Sequence, residues 1–312
     1  MIEKEQVCEL FCGAGGMGLG FSRFFDISYA VDFKKQAVET YQSNHFETQV
    51  RQQDVRDITG CYHDFDGLTG VIGGPPCQGS SIMNTKRCAD DPRNALMFEY
   101  MRLVDEIRPR FYVMENVPGV SKKIKEDVIK LGKMAGYDVK SIYLNAAEYG
   151  AAQTRKRWIV VGTRGKSWHM PGTQPAKTVR EAFSDINENW GLMQSSEKTL
   201  NNLKNSTSME WTPMTKGGKF KHLIRLDFEK PSPAVVNVKK VYMVHPTEDR
   251  NISLAEAAAL QGFPPGYQWK GTESEIAQMI ANAMPAELAA SIAGSFSTHQ
   301  ATVQTELIRG IT

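Results

Sequence analysis

The amino-acid sequence predicts an open, doubly wound α/β sheet with a second, smaller and irregular domain. Short apolar runs alternate with helical patterns over residues 1–165, which is typical of a parallel sheet with helices on its faces. A glycine-rich segment follows the first apolar run. The alternation is lost at 166–244, and helical patterns return at 245–312. We therefore expect a first domain at 1–165, the irregular domain at 166–244, and a return to the first domain at 245–312.

The apolar runs and helical patterns give the expected elements in chain order. We expect buried parallel strands at Val7–Phe11, Ile27–Val31, Gly70–Gly73, Phe111–Met114 and Arg157–Gly162. We expect the helices between them at Met17–Phe25, Lys34–Gln42, Ala95–Ile107 and Ser121–Ala135. Ser253 and Glu256 have the spacing of a capping box and predict a helix at Ser253–Leu260. A longer helical pattern covers Glu273–Ile292, with an interruption near Pro285.

The composition excludes several classes of protein. The 312 residues carry 37 basic and 35 acidic side chains, and 41% are hydrophobic, as in ordinary globular domains. No apolar run approaches the ~20 residues that span a bilayer, and the N-terminus lacks a signal pattern. Five cysteines without a paired framework favour a reducing compartment. We expect a cytoplasmic protein, in the bacterial cytosol or nucleoid, with no membrane contact and no metal site.

The formal net charge of +2 hides an uneven distribution. Residues 1–150 have a net charge of −3, residues 151–230 of +7, and residues 231–312 of −2. Clustered lysine and arginine are the electrostatic footprint of nucleic-acid binding. A solvated loop region explains the same charge. Charge alone leaves both interpretations open.

A glycine-rich turn and two acidic residues indicate a nucleotide pocket. Gly13, Gly15 and Gly18 have a G-x-G-x-x-G spacing between a strand and a helix, where a ligand can approach the backbone. Asp32 ends the next strand, where a carboxylate can hold ribose hydroxyls. Asp54 follows a third extended stretch and could accept from an adenine amino group. The pattern predicts an adenosyl pocket but does not separate a nicotinamide cofactor from S-adenosylmethionine.

Reactive side chains follow three other predicted strands. Cys77 comes after two prolines at the end of one strand, and Glu115 ends the next. Alternation along an extended segment places Gln153, Arg155 and Arg157 on one face. Singly, these residues are explained as a buried cysteine, a turn residue and a solvated edge strand. Their convergence beside an adenosyl pocket predicts a catalytic site.

These motifs resemble those of the cytosine-5 DNA methyltransferase family, of the bacterial or phage modification type, in the family's order and over nearly the whole chain. The matching segments are Leu10-Phe-Cys-Gly-Ala-Gly-Gly16, Asp32-Phe33, Asp54, Pro75-Pro-Cys-Gln78, Glu115-Asn-Val117, Gln153-x-Arg155-x-Arg157, Gln261-Gly-Phe-Pro264 and Asn282-Ala-Met284. The resemblance implies a Rossmann-like fold that uses S-adenosyl-L-methionine and releases S-adenosyl-L-homocysteine. It assigns cofactor binding to Phe11, Ala14, Gly15, Gly16, Asp32, Phe33, Asp54, Val55, Pro76, Leu96, Asn282 and Met284.

The resemblance also implies a covalent mechanism. Cys77 adds to C6 of cytosine and makes C5 nucleophilic, which explains the need for a thiolate. A buried Glu115 suits a role at N3, because protonation or strong hydrogen bonding there helps the attack. The resemblance assigns ring atom O2 to Arg155 and the orientation of neighbouring groups to Arg157. The base must leave the duplex for this chemistry.

DNA contacts are expected in two places. The first is a flexible loop from Ser80 to Arg93 that closes over the flipped base, and the second is the 166–244 block, which corresponds to a target-recognition domain for a short site. The expected DNA contacts are Gln78, Ser81, Lys86, Arg87, Arg93, Lys216, Lys219, Lys221 and Arg225. The sequence departs from the family pattern in Asp32 for Glu, Met284 for Val, and Gly79-Ser80-Ser81, which lacks an aromatic residue.

Three alternatives remain at this point. A nicotinamide oxidoreductase gives no joint role to Cys77, Glu115 and the arginines. A tRNA cytosine-5 methyltransferase shares these motifs, but the Cys-Phe-Thr signature of that branch is absent from the sequence. A catalytically silent DNA-binding protein is disfavoured because every catalytic residue type is present. Double-stranded DNA is the expected partner of a monomeric enzyme, and a cognate restriction endonuclease is the commonest companion of short family members.

Overall fold

A computed structural model gives the structure of residues 4–59, 65, 67–76, 95–165, 167–186, 189–192, 204, 209, 212–216, 219–239 and 241–296. For 212–216 and 219–222 the description covers the backbone alone. No helix in these ranges is long and apolar enough to cross a membrane. In the same ranges, no group of three or more His, Cys, Asp or Glu side chains could hold a metal ion.

A seven-stranded sheet forms the centre of the structure. Its strands, in chain order, are β1 (Gln6–Leu10), β2 (Asp26–Asp32), β3 (Gln49–Gln52), β4 (Gly70–Gly73), β5 (Phe111–Asn116), β6 (Asp138–Asn145) and β8 (Lys156–Thr163). Their spatial order is β3-β2-β1-β4-β5-β8-β6, and β1 to β5 pair in parallel. The doubly wound α/β sheet that we predicted is therefore confirmed.

The direction of β8 was predicted wrongly. Strand β8 is antiparallel to both β5 and β6. Asn145 pairs with Lys156 in the ladder, and the connection between them holds only a short helical turn at Ala146–Glu148 and the two-residue strand β7 (Gln153–Thr154). A parallel return needs a longer crossover, usually a helix, so this short connection forces an antiparallel pair.

Helices cover both faces of the sheet. On one face lie α1 (Gly16–Phe21), α2 (Lys35–Gln42) and α8 (Ala286–Gly294), and on the other lie α3 (Ala95–Ile107) and α4 (Lys122–Met134). Helix α1 ends at Phe21, whereas we expected Phe25. A Cβ on Gly20 would lie 2.4 Å from the Cβ of Ala289, so the missing side chain lets α1 and α8 pack closely.

Three helices follow in the described C-terminal part of the chain, and the first two begin at side-chain caps. They are α6 (Leu254–Leu260), α7 (Glu273–Asn282) and α8, and the chain turns between α7 and α8 at the expected Pro285. The capping box of Ser253 and Glu256 is present, with Glu256 N donating to Ser253 Oγ over 3.0 Å. The structure therefore confirms the predicted start of α6.

The segment that we expected to be irregular contains regular elements. Strands β9 (Thr212–Lys216), β10 (Lys219–Arg225) and β12 (Tyr242–Val244) form a three-stranded sheet in the order β12-β10-β9. Helix α5 (Val179–Ser184) packs on α6, and β11 (Ser232–Pro233) pairs with β7. Ile224 of β10 and Met243 of β12 belong to the same buried apolar cluster as Leu254 of α6, which joins the small sheet to the C-terminal helices.

Candidate active site

The turn between β1 and α1 is shaped by positive backbone dihedral angles. Phe11, Gly13 and Gly15 have φ values of 55°, 54° and 87°. A Cβ on Gly15 would lie 2.7 Å from Nε2 of His45 and 2.9 Å from the hydroxyl oxygen of Tyr267, so no larger residue fits there without movement. The tight turn leaves its backbone open to a neighbouring cavity.

Asp32 and Asp54 border that cavity with different partners. One carboxylate oxygen of Asp32 accepts from Gly13 N over 3.0 Å and the other from Lys34 N over 2.8 Å, so Asp32 braces the glycine turn. Burial raises the pKa of Asp32. Asp54 accepts from the side-chain Nε of Arg56 over 3.0 Å, and these hydrogen bonds lower the pKa of Asp54. Both carboxylates are held in fixed positions.

The cavity has a volume of about 840 Å³, within the usual range for small-molecule sites. Its lining brings together eleven of the twelve residues expected to bind the cofactor, namely Phe11, Ala14, Gly16, Asp32, Phe33, Asp54, Val55, Pro76, Leu96, Asn282 and Met284. Gly15, the remaining one, faces His45 and Tyr267 instead. Phe33 is 69% exposed and supplies an aromatic ring at the cavity. This set of groups fits an adenosyl cofactor.

The sequence did not identify a buried carboxyl group beneath the glycine turn. Glu9 lines the cavity yet is only 2% exposed, and Oε2 of Glu9 accepts from the hydroxyl of Tyr41 over 2.8 Å. Burial raises the pKa of Glu9 from 4.5 to about 8. The sequence feature that could have indicated this buried group is an acidic residue within the first apolar strand. At neutral pH this carboxyl group is mainly protonated.

A buried ion pair lies at one end of the cavity. Glu115 is the penultimate residue of β5, and its Oε1 lies 2.6 Å from Nε of Arg157 near the start of β8. Each side chain is 12% exposed. Burial lowers the pKa of Arg157, and the charge of Glu115 opposes this shift. The antiparallel pairing of β5 and β8 brings the two residues together.

The chain segment before Cys77 passes directly beside this pair. A Cβ on Gly74 would lie 3.0 Å from Oε2 of Glu115. The buried side chain of Asn116 donates to Pro75 O over 2.9 Å, which fixes the end of β4. Cys77 itself lies outside the described residues, as do the expected DNA contacts Gln78, Ser81, Lys86, Arg87 and Arg93.

Arg155 has a different environment from the one we expected. Its two terminal nitrogens donate to Val235 O over 2.8 Å and to Ala281 O over 2.6 Å, and the side chain is fully enclosed. Burial lowers the pKa of Arg155. Gln153 is likewise buried and donates to Leu260 O. Because Arg155 is committed to backbone carbonyls and Arg157 to Glu115, the geometry does not support the assignment of O2 to Arg155.

Arg225 also has partners within the protein. It donates to His245 O over 2.9 Å and to Glu248 O over 3.1 Å, and it pairs with Asp249 at 2.7 Å. These contacts favour a structural role over the expected DNA contact. Lys216 at the end of β9 pairs with Lys219 at the start of β10, and Lys221 follows on β10. These three stay predictions, since only their backbone is described.

The fold and the site define a class of protein. A Rossmann-like sheet with a nucleotide-sized cavity beside a buried carboxylate–guanidinium pair is an arrangement typical of enzymes that use a nucleotide cofactor. Residues 6–298 match the family of C-5 cytosine-specific DNA methylases. The chain therefore belongs to this family, and the resemblance seen in its motifs is confirmed.

Individual relatives agree with this assignment. The chain is 32% identical to the Type II methyltransferase M.FnuDI of Fusobacterium nucleatum, over 92% of this chain and 93% of that protein. It is also 32% identical to M1.HphI of Haemophilus parahaemolyticus, over 91% and 84% of the two chains. A prophage-encoded chain from E. coli, described as a DNA modification methyltransferase, superposes with a TM-score of 0.72 at 27% identity, covering 94% of this chain and 98% of that chain. The Dnmt2 methyltransferase of S. pombe shares the fold, with a TM-score of 0.69 at 18% identity and coverage of 96% and 99%.

Proposed function

We propose that this protein transfers a methyl group from S-adenosyl-L-methionine to C5 of a cytosine flipped out of a short specific sequence in duplex DNA. The observation that carries the proposal is the Glu115–Arg157 pair at the end of the cavity, beside the segment that leads into Cys77. Family membership supports the reaction class.

Different residues of the cavity bind different parts of the cofactor. Phe33 offers an aromatic face for the adenine, and Asp54 offers a carboxylate for its amino group. Asp32 binds the ribose hydroxyls, and both of its carboxylate oxygens also accept hydrogen bonds from backbone N–H groups. When bound, the cofactor supplies an electrophilic methyl group. S-adenosyl-L-homocysteine is the expected product.

Cys77 is the proposed nucleophile. Its thiolate forms a bond to C6, and the electron pair displaced from the ring is accepted with a proton or hydrogen bond at N3. Glu115 is placed to serve N3 because its carboxyl group lies beside Gly74, three residues before the thiol. After methylation, loss of the C5 proton expels the thiolate and restores the ring.

Arg157 takes the role at O2 that we first assigned to Arg155. Its Nε contacts Glu115, and its Nη1 donates to Lys156 O over 2.8 Å. Among the described residues no partner accepts from its second terminal nitrogen, which therefore remains available for a ring oxygen. Arg155 instead joins the segments that carry Val235 and Ala281.

The remaining parts of the proposal concern DNA and cellular setting. Residues 166–244 form the target-recognition domain, and Lys216, Lys219 and Lys221 of strands β9 and β10 contact phosphates. The enzyme acts as a monomer in the bacterial cytoplasm on chromosomal or phage DNA. Its Type II relatives favour a partner restriction endonuclease with the same target sequence.

A methylation assay tests the function. DNA from cells that express the wild-type chain, analysed by bisulfite sequencing, should show one short methylated motif. Cys77→Ser should abolish methylation, and Glu115→Gln should slow it by at least about 100-fold, within the range for general acid–base groups. Purified enzyme is also offered matched duplex DNA and tRNA. Methylation of tRNA alone, or undiminished transfer by Cys77→Ser, would contradict the proposal.

A further inference from the structure

Three amide side chains form one wall of the cavity. Gln278 and Asn282 lie on α7, and Asn237 comes from the segment between β11 and β12. Asn237 is only 9% exposed, although it borders the cavity. Only Asn282 belongs to a motif recognised in the sequence. Asn237 and Gln278 are therefore cavity residues without an assigned role.

The three amides are joined by hydrogen bonds that run in one direction. Oδ1 of Asn237 accepts from the backbone N–H of Lys239 over 3.1 Å, which leaves its NH₂ group to face α7. That NH₂ group donates to Oε1 of Gln278 over 3.0 Å. The NH₂ group of Gln278 then donates to Oδ1 of Asn282 over 2.8 Å. A backbone N–H, which can only donate, thus sets the direction of the whole chain.

This direction determines what Asn282 offers to a ligand. Its oxygen is occupied by Gln278, and in the part of the chain that the structure describes no group accepts from its NH₂. Asn282 therefore presents a donor to the cavity. Without the bond from Gln278, the amide of Asn282 could turn over and present its oxygen instead.

We propose that Asn237 is a positioning residue that acts through Gln278 to hold Asn282 as a hydrogen-bond donor to an acceptor atom of the cofactor. This inference rests on the proposed use of S-adenosyl-L-methionine. It adds a residue supplied by the segment between β11 and β12, within the proposed target-recognition domain. The Asn237–Gln278–Asn282 relay is then part of the binding site, not only of the packing between segments.

A second interaction between the segment that carries Asn237 and helix α7 provides a matched control. The side chain of Lys239 forms an ion pair with Glu273 at the start of α7, and neither side chain is part of the relay. If Asn237 merely anchors its segment on α7, loss of the Lys239 pair should have a similar effect. If it acts through Asn282, only variants of the relay should change ligand affinity.

The direction of the relay gives a second test. Asp at position 237 can only accept at neutral pH, so Gln278 would have to donate to it. The oxygen of Gln278 would then face Asn282, whose amide would turn and present its own oxygen to the cavity. Asn237→Asp should therefore weaken binding of S-adenosyl-L-homocysteine, whose zero net charge keeps direct attraction to the new carboxylate small.

Isothermal titration of the full-length protein with S-adenosyl-L-homocysteine tests the inference, with ligand-free melting curves as a check on folding. Asn237→Ala and Gln278→Met should each raise Kd about two- to tenfold, as expected for one lost hydrogen bond. Asn237→Asp should raise Kd at least as much, and Lys239→Ala should leave it within about twofold of wild type. In steady-state assays Asn237→Ala should raise the KM for the cofactor with little change in kcat.

The outcomes separate this inference from the proposed function. Wild-type protein that does not bind S-adenosyl-L-homocysteine would contradict both. Wild-type binding with an unchanged Kd for Asn237→Ala would contradict the relay alone. Equal weakening by Lys239→Ala and Asn237→Ala, or tighter binding by Asn237→Asp, would also overturn it.

Discussion

Replacement of Glu9 by Gln should stabilise the protein in a way that depends on pH. The carboxyl group of Glu9 is buried beneath the glycine turn and accepts a hydrogen bond from Tyr41. A glutamine keeps an acceptor oxygen for Tyr41 but cannot ionise. The comparison therefore isolates the effect of ionisation at this position.

The magnitude follows from the raised pKa. In the unfolded chain the group ionises near its ordinary value of 4.5, whereas in the folded protein its pKa is about 8. Between these values the unfolded state binds fewer protons, so this group makes the folded state less stable as the pH rises. Because one pKa unit corresponds to about 1.4 kcal/mol, the loss reaches up to about 5 kcal/mol near pH 8.

Urea unfolding of the ligand-free protein at pH 5, 6, 7 and 8 measures this effect. The free energy of unfolding of Glu9→Gln should exceed that of wild type by an amount that grows steadily over this range. The matched control is Glu126→Gln, because the side chain of Glu126 is 63% exposed and should show no such trend. A difference between Glu9→Gln and wild type that stays constant with pH would refute the reasoning.

Three further predictions concern the site and the DNA. Arg157→Met should lower kcat by at least about 100-fold in protein that is still folded, although it also leaves Glu115 buried without its partner, whereas Arg155→Met should mainly lower the melting temperature, because Arg155 joins buried segments; equal kinetic losses in folded samples of the two variants would contradict this division. Phe33→Ala should weaken binding of S-adenosyl-L-homocysteine about tenfold or more without loss of stability, since the ring is 69% exposed and stacking on a base contributes about 1–3 kcal/mol; titration calorimetry and melting curves test both parts. The affinity for duplex DNA should fall steeply between low and high salt in a fluorescence anisotropy titration, and a flat dependence would remove the phosphate contacts proposed for the basic segment.

Much of the proposed cofactor site could be predicted, because its residues lie at or just after the ends of strands. Asp32 and Glu115 lie at the carboxyl ends of two parallel strands of the central sheet, β2 and β5, and the carboxyl ends of parallel strands lie along one edge of the sheet. The glycine turn is visible in the sequence because positive φ angles favour glycine. Local pattern and chain order were therefore sufficient for this part.

The rest depended on contacts that local sequence does not encode. Asn237 and Gln278 meet across 41 positions of the chain, and nothing near either residue signals the pairing. The different environments of Arg155 and Arg157 could not be predicted, because alternation along an extended segment does not show the break between β7 and β8. Arg225 lies in a basic block, but its nearby acceptors come from the loop after β12.

The proposed mechanism requires Cys77 to bond to a cytosine that Glu115 and Arg157 hold. Duplex DNA with 5-fluorocytosine at the methylated position tests it directly, because fluorine at C5 cannot leave as a proton does and the adduct persists. After incubation with S-adenosyl-L-methionine and digestion, mass spectrometry should find the modified nucleotide attached to the peptide that contains Cys77. Methylation without an adduct, or an adduct on a different residue, would contradict the mechanism.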